Sequence, residues 1–150
     1  MPMPMNRDYI GREYPPVDFE ITPGLIAAFA GAIGDTTPAF WDKESAREAG
    51  LAAEIAPPTF STIPQIEKAT EVAHDPGLGL DWAHVLHGDQ EFEWFAPLLA
   101  DAKYVAVSRI VNIRGRSPVE FITIETRIED QQGQVAVRAR ATLISREDPT

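Results

Sequence analysis

From Trp82 onward the apolar positions of the chain recur at every second residue, whereas before it they recur at every third or fourth. The first period belongs to strands and the second to helices. In the helical half, Val17 to Ile21 (VDFEI) is a short β-like run that ends at Thr22-Pro23, an N-cap hydroxyl followed by proline at the first helical position. The predicted helix places Leu25, Ile26, Phe29 and Ile33 on one face and stops at Gly34. Its remaining positions are small (Ala27, Ala28, Ala30, Gly31, Ala32), so it can lie close against a neighbour. Asp42 caps a second short helix, KESAREA, which Gly50 terminates. Beyond the double proline, Thr62 and Gln65 have capping-box spacing ahead of a third helical run. Its apolar face would be Phe60, Ile63, Ile66, Ala69 and Val72 or Ala73, with Pro64 tolerated in the first turn alone.

The second half predicts four strands, at 83–95, 102–114, 118–129 and 134–146. The last two flank QQG, a hairpin signal, and Val135, Val137, Ala139, Ala141 and Leu143 alternate onto one face. In the first of the four, Gln90, Phe92 and Trp94 alternate on the face opposite His87 and Asp89. Helices followed by an antiparallel meander make an α+β domain. One long helix with a curved antiparallel sheet matches the hotdog fold, in which the sheet wraps around the helix. Such a domain leaves a strand edge uncovered, and uncovered edges are normally paired or shielded, so a dimer is expected.

Composition narrows the setting. At 150 residues, 44% hydrophobic and 24% charged, the chain has the balance of one soluble globular domain spanning 1–150. No apolar run is long enough to cross a bilayer. The absence of cysteine excludes disulfides, thiolate zinc sites and cysteine nucleophiles. Residues 1–9 open a stretch without a signal-peptide core, which predicts a flexible arm and a cytoplasmic location. No histidine–carboxylate spacing reads as a metal site, and no cofactor is expected.

Net charge is −10, which argues against nucleic acid or an anionic membrane as partner. Residues 1–100 hold 16 acids and 5 bases, residues 101–150 hold 7 acids and 8 bases. An anion-binding surface is therefore expected in the C-terminal third, where Arg109, Arg114 and Arg116 cluster.

Residues 34–42, GDTTPAFWD, have the form of an active-site loop with phenylalanine where a proton-transfer group is expected. The run AGAIGDTTPAFWDKESAREAGLAAEIAPPTF, with HGDQEFEWFAPLLADAKY further on, resembles the MaoC-like, (R)-specific enoyl-thioester hydratase family, specifically its dehydratase N-terminal-type domain. The resemblance covers residues 10–146. Catalytic members of that family carry G-D-x-N-P-x-H-x-D, whose aspartate and histidine add water to a trans-enoyl thioester or remove it from a (3R)-hydroxyacyl thioester. Gly34, Asp35, Pro38 and Asp42 match this pattern, while Thr37 replaces the asparagine and Phe40 the histidine. Imidazole suits proton transfer near neutral pH; phenylalanine accepts no proton, and losing a general base typically costs about 10²- to 10⁴-fold in rate. Some family dehydratases, the mycobacterial-type hydroxyacyl-ACP dehydratase among them, pair a full-motif subunit with a degenerate one that helps shape the acyl channel. This chain resembles the degenerate kind.

The individual residues keep two readings each. Asp35 either sets the loop's turn or takes part in catalysis. Phe40 and Trp41 either fill the core or wall an acyl tunnel. His87 is a candidate proton-transfer group because Asp89, two residues on, would share its strand face and orient it; the alternative is a structural ion pair. Arg114 and Arg116 flank Gly115 at a hairpin end, either as solvated turn residues or as ligands for the phosphates of coenzyme A or phosphopantetheine.

Three functions follow from the resemblance. The chain is an acyl-CoA- or acyl-ACP-binding component that borrows the missing histidine from a catalytic MaoC-like subunit in a heterodimer. Alternatively it is a self-sufficient homodimeric hydratase or hotdog thioesterase using Asp35 with His87, or a binding protein without chemistry.

Overall fold

Thr22 Oγ1 accepts a hydrogen bond from Leu25 N at 3.1 Å, and from that cap α1 runs over Pro23–Ile33. Gly34 ends it with φ of +71°, a left-handed conformation that glycine adopts without Cβ strain. The computed structural model describes residues 3–147. Within them lie β1 (Val17–Ile21), α1, α2 (Lys43–Glu48), α3 (Thr62–Ala73), β2 (Val85–Trp94), β3 (Ala102–Arg116), β4 (Val119–Glu129) and β5 (Val135–Arg146). Each predicted strand appears within two or three residues of its expected ends.

The strands form one antiparallel sheet in the order β1-β3-β4-β5-β2, and α3 packs across β3, β4 and β5. This is the hotdog arrangement expected from the sequence. β2 stands at an edge, since it follows α3 and returns beside β5, the last strand made. Bulges interrupt β2 between His87 and Asp89 and β3 between Ile110 and Asn112, bending both strands.

The inner face of the sheet carries two apolar clusters. One joins Ile21, Ile26, Phe40, Phe60, Leu98, Tyr104 and Val137; the other joins Met5, Tyr14, Val72, Leu78, Ile113, Ile122 and Leu143. Buried polar groups lie between them. Ser108 and Thr126, opposite each other on β3 and β4, share a 2.6 Å hydrogen bond, and Gln65 of α3 is bound to Gln90 of β2.

The faces of the helices differ from those read in the sequence. α1 buries Ile26 and Ala30, leaving Leu25 and Ile33 about half exposed. α3 buries Gln65, Lys68 and Val72, while Ile63 and Ile66 are 48% and 57% exposed. The apolar stripe of α3 is thus turned partly outward, and amide and ammonium groups point inward because each finds a partner there. Lys68 Nζ donates to the Pro15 carbonyl and to Glu71. The expected capping box is also absent: Ser61 precedes the helix without a side-chain cap bond, and the Gln65 amide is engaged with Gln90.

The N-terminal segment is not a loose arm over residues 3–9. Met5 is 3% exposed in the second cluster, its N–H donates to Glu120 Oε2 at 2.9 Å, and Asn6 N donates to Leu78 O. An apolar side chain with two satisfied amides holds the segment down; Met1 and Pro2 lie outside the described residues.

Candidate active-site loop and cavities

The loop after α1 is closed by its own hydrogen bonds. Asp35 Oδ1 accepts from Thr37 N at 2.9 Å and from Thr37 Oγ1 at 2.6 Å, and Trp41 Nε1 donates to the Asp35 carbonyl at 2.9 Å. The Thr37 hydroxyl and N–H hold the Asp35 carboxyl below its ordinary range, so it is ionised at neutral pH. Both bonds fall on Oδ1.

Phe40, the residue in the histidine position, is 6% exposed and belongs to the first apolar cluster. Trp41 is half exposed and its ring lies over Gly31, where an added Cβ would be 3.4 Å from Cη2. Asp42 caps α2 by accepting from Ser45 N and Oγ at 2.9 and 2.8 Å. The loop thus holds one ionised carboxylate at its start and a buried aromatic ring at its end.

Two apolar cavities flank the inner face of β2. The first, of about 380 Å³, is lined by Gln65, Ile66, Ala69, Val85, His87 and Leu143, with Trp82 at its margin. The second, of about 390 Å³, is lined by Phe40, Ile55, Pro58, Trp94, Leu98 and Val137. Phe40 lines the second cavity as well as belonging to the core. Asp35, Thr37 and Trp41 line neither cavity.

His87 and Asp89 do not share a face. Across the bulge, His87 pairs with Leu143 and Asp89 with Thr142, adjacent residues that point to opposite sides of β5. His87 consequently joins Gln90, Phe92 and Trp94 on the inner face, and Asp89 is turned outward. Gly88 permits this: a Cβ there would meet Ile144 Cδ1 at 2.7 Å and the Thr142 carbonyl at 3.3 Å. The Gly in HGDQ was the sequence signal for the bulge.

Arg114 and Arg116 lie at the end of β3 as expected. The Arg114 guanidinium stacks 4.1 Å from the Phe121 ring centroid, opposite it on β4, on the outer face of the sheet. Both are exposed, on the face opposite the cavities. Arg109 is engaged elsewhere. With Arg138 and Arg140 it surrounds Glu125, at 3.2, 3.7 and 2.8 Å. Burial acts to raise the Glu125 carboxyl, but the Arg140 hydrogen bond and the three guanidinium charges outweigh it and hold the group low. Among the described residues no group of three or more His, Asp or Glu could hold a metal ion. No described helix is long and apolar enough to cross a membrane.

The FAS1-like dehydratase domain region family matches residues 8–139. The chain belongs to that family. A curated relative, the UPF0336 protein of Saccharopolyspora erythraea, is 37% identical over 98% of this chain and 97% of its own. Among solved structures, the C-terminally truncated HadBC (3R-hydroxyacyl-ACP dehydratase) complex of Mycobacterium tuberculosis aligns with a TM-score of 0.82 and 26% identity over 92% of this chain and 98% of that one. A MaoC-like dehydratase aligns with a TM-score of 0.83 over 91% of this chain and 42% of that one; at 21% identity it shows the fold alone. This member of the family carries Thr37 and Phe40 in its loop, and Gln65 and Lys68 inside its central helix, where the sequence pattern pointed to apolar residues.

Proposed function

We propose that the chain is an acyl-thioester-binding component of a (3R)-hydroxyacyl-thioester dehydratase or enoyl-thioester hydratase and takes its proton-transfer histidine from a catalytic partner subunit. The observation that carries this reading is Phe40: the side chain in the histidine position is a buried aromatic ring that walls an apolar cavity. In hydration, a base accepts a proton from water as its oxygen bonds to Cβ, and a proton is delivered to Cα. Nothing at Phe40 can accept the first proton, and Asp35 lines neither cavity. What remains in the loop is shape: a turn that seats Phe40 and presents Trp41.

A partner is supported by what one copy leaves uncovered. β2 is an edge strand, and Ile63, Ile66, Trp82, Leu86 and Trp94 beside it are each 45–63% exposed. Exposed apolar side chains next to an open strand edge are what subunit association would cover. The heteromeric HadBC complex supports the same arrangement by likeness. A cysteine-free chain suits a cytoplasmic setting. We assign Arg114 and Arg116 to the CoA or carrier-arm phosphates, which requires the thioester arm to cross the outer face. The self-sufficient alternative retains Asp35 and His87 but loses Asp89 as the orienting group.

The test mixes the purified chain with a MaoC-like subunit that carries the intact G-D-x-N-P-x-H-x-D loop. A stable heteromer with crotonyl-CoA hydration above that of either protein alone is the expected result. Absence of a complex together with absence of any rate gain rejects the proposal.

A further inference from the structure

β2 ends the sheet order β1-β3-β4-β5-β2, so β5 pairs with one of its edges and no described strand pairs with the other. The register on β5 separates the two faces of β2. Gln90, Phe92 and Trp94 lie opposite Ala141, Ala139 and Val137 on the inner face, while Asp89, Glu91 and Glu93 lie opposite Thr142, Arg140 and Arg138 on the outer one. Three successive outward positions of the edge strand therefore carry carboxylates, and all three residues are exposed. Arg138 reaches Glu93 at 3.0 Å, but the Arg140 guanidinium opposite Glu91 is held by Glu125 at 2.8 Å. Among the described residues no cation pairs with Asp89 or Glu91.

This pattern decides which strand can add to the open edge. Antiparallel addition about a two-fold axis sets residue i of one copy opposite residue j of the other and j opposite i, with opposed residues on the same face of the joined sheet. An axis at Glu91 sets Glu91 against its counterpart and Asp89 against Glu93; an axis at Gln90 sets Asp89 against Glu91, and one at Phe92 sets Glu91 against Glu93. Each of these registers puts carboxylate across from carboxylate at about 4.5–5.5 Å between Cβ atoms, and like charges so placed are destabilising. A strand with lysine or arginine at its outward positions makes the same contacts attractive.

We propose that Asp89, Glu91 and Glu93 form a charge pattern on the free edge of β2 that disfavours pairing with a second copy of this chain and selects a partner whose own edge strand carries lysine or arginine at its outward positions. This deepens the functional reading above by naming the chemistry of the partner's edge, and rests on that reading for the partner's catalytic role. Specificity here comes from repulsion of the wrong partner as much as from attraction of the right one.

The full chain tests this with a charge-reversed copy of itself as the probe, so no catalytic subunit is needed. Asp89→Lys/Glu91→Lys/Glu93→Lys is mixed with the wild type and followed by sedimentation equilibrium at low and at high salt. The mixture should form a one-to-one species about tenfold tighter than either protein associates with itself, the effect of three opposed pairs changing sign, and high salt should narrow the difference. Equal affinity of the wild type for itself and for the reversed copy overturns the proposal. So does failure of the mixture to associate, which would make the acids a guard against any added strand. If the reversed copy fails to fold, Asp89→Asn/Glu91→Gln takes its place and should self-associate about threefold tighter than the wild type; an unchanged affinity overturns the proposal. Crotonyl-CoA hydration with a MaoC-like subunit that carries the intact loop is read separately. Charge-selective pairing without any gain in rate would retain the edge pattern and reject the dehydratase role. A gain in rate that survives in the charge-reversed copy would retain the role and reject the edge pattern.

Discussion

His87 and Asp89 stand two residues apart on β2 and face opposite sides of the sheet, because Gly88 is the extra residue of a bulge between them. A Cβ at position 88 has no room against Ile144. Gly88→Ala is expected to cost about 1–2 kcal/mol by overpacking, and Ile144→Ala should recover part of that loss in the double variant. Denaturant midpoints of the three variants measure it; additive effects would show that the contact with Ile144 is not what requires glycine.

Placing histidine at position 40 is expected to leave the isolated chain without hydratase activity. Phe40→His exchanges a buried ring for a polar one within the first apolar cluster. The expected outcome is a loss of about 2 kcal/mol in stability with no crotonyl-CoA hydration by the variant alone. Thermal unfolding and a hydration assay on the same sample check both halves.

Hydrogen bonds from Thr37 hold the Asp35 carboxyl below its ordinary range. Removing the hydroxyl in Thr37→Val should raise the Asp35 pKa toward its ordinary value, and a carboxylate NMR titration reads the shift directly. An unchanged titration would mean that the backbone N–H bond alone holds the group low.

Glu125 is buried on the outer face among Arg109, Arg138 and Arg140. Its folded-state pKa is depressed, so its contribution to stability is present above the unfolded-state pKa and is lost as pH falls through the folded value. Glu125→Gln should lower stability at pH 7 by about 2 kcal/mol. The difference from wild type should vanish below the ordinary carboxylate range. Urea unfolding at pH 7 and at pH 3 supplies the comparison.

Ile66 is an exposed apolar residue at the margin of the first cavity. Ile66→Asp should leave the unfolding midpoint of the isolated chain nearly unchanged, within about 0.5 kcal/mol, and abolish association with a catalytic partner. Light scattering of the mixture reads the outcome, and an intact heteromer would place the interface elsewhere.

Local chemistry carried most of the fold. The Thr22-Pro23 start and Gly34 stop of α1, the Asp42 cap of α2 and all five strands follow from neighbours in sequence, since caps, turns and alternation act over a few residues. That the loop carries phenylalanine, a side chain that exchanges no proton, at position 40 was equally legible. The helix faces were not. Spacing placed Ile63 and Ile66 together, but which side of α3 meets the sheet depended on partners distant in the chain: Gln90 for Gln65 and Pro15 for Lys68.

The alternation of β2 likewise broke at a residue whose effect depends on β5. Period two put His87 beside Asp89, and contact with Ile144 and Thr142 turned them apart. By itself the sequence determined the elements and their order, both consequences of covalent neighbours and side-chain chemistry. Tertiary structure alone decided which polar groups are buried, where the cavities lie and that Gln65 and Gln90 pair, because burial and hydrogen bonding are settled by residues that meet only when the sheet closes over α3.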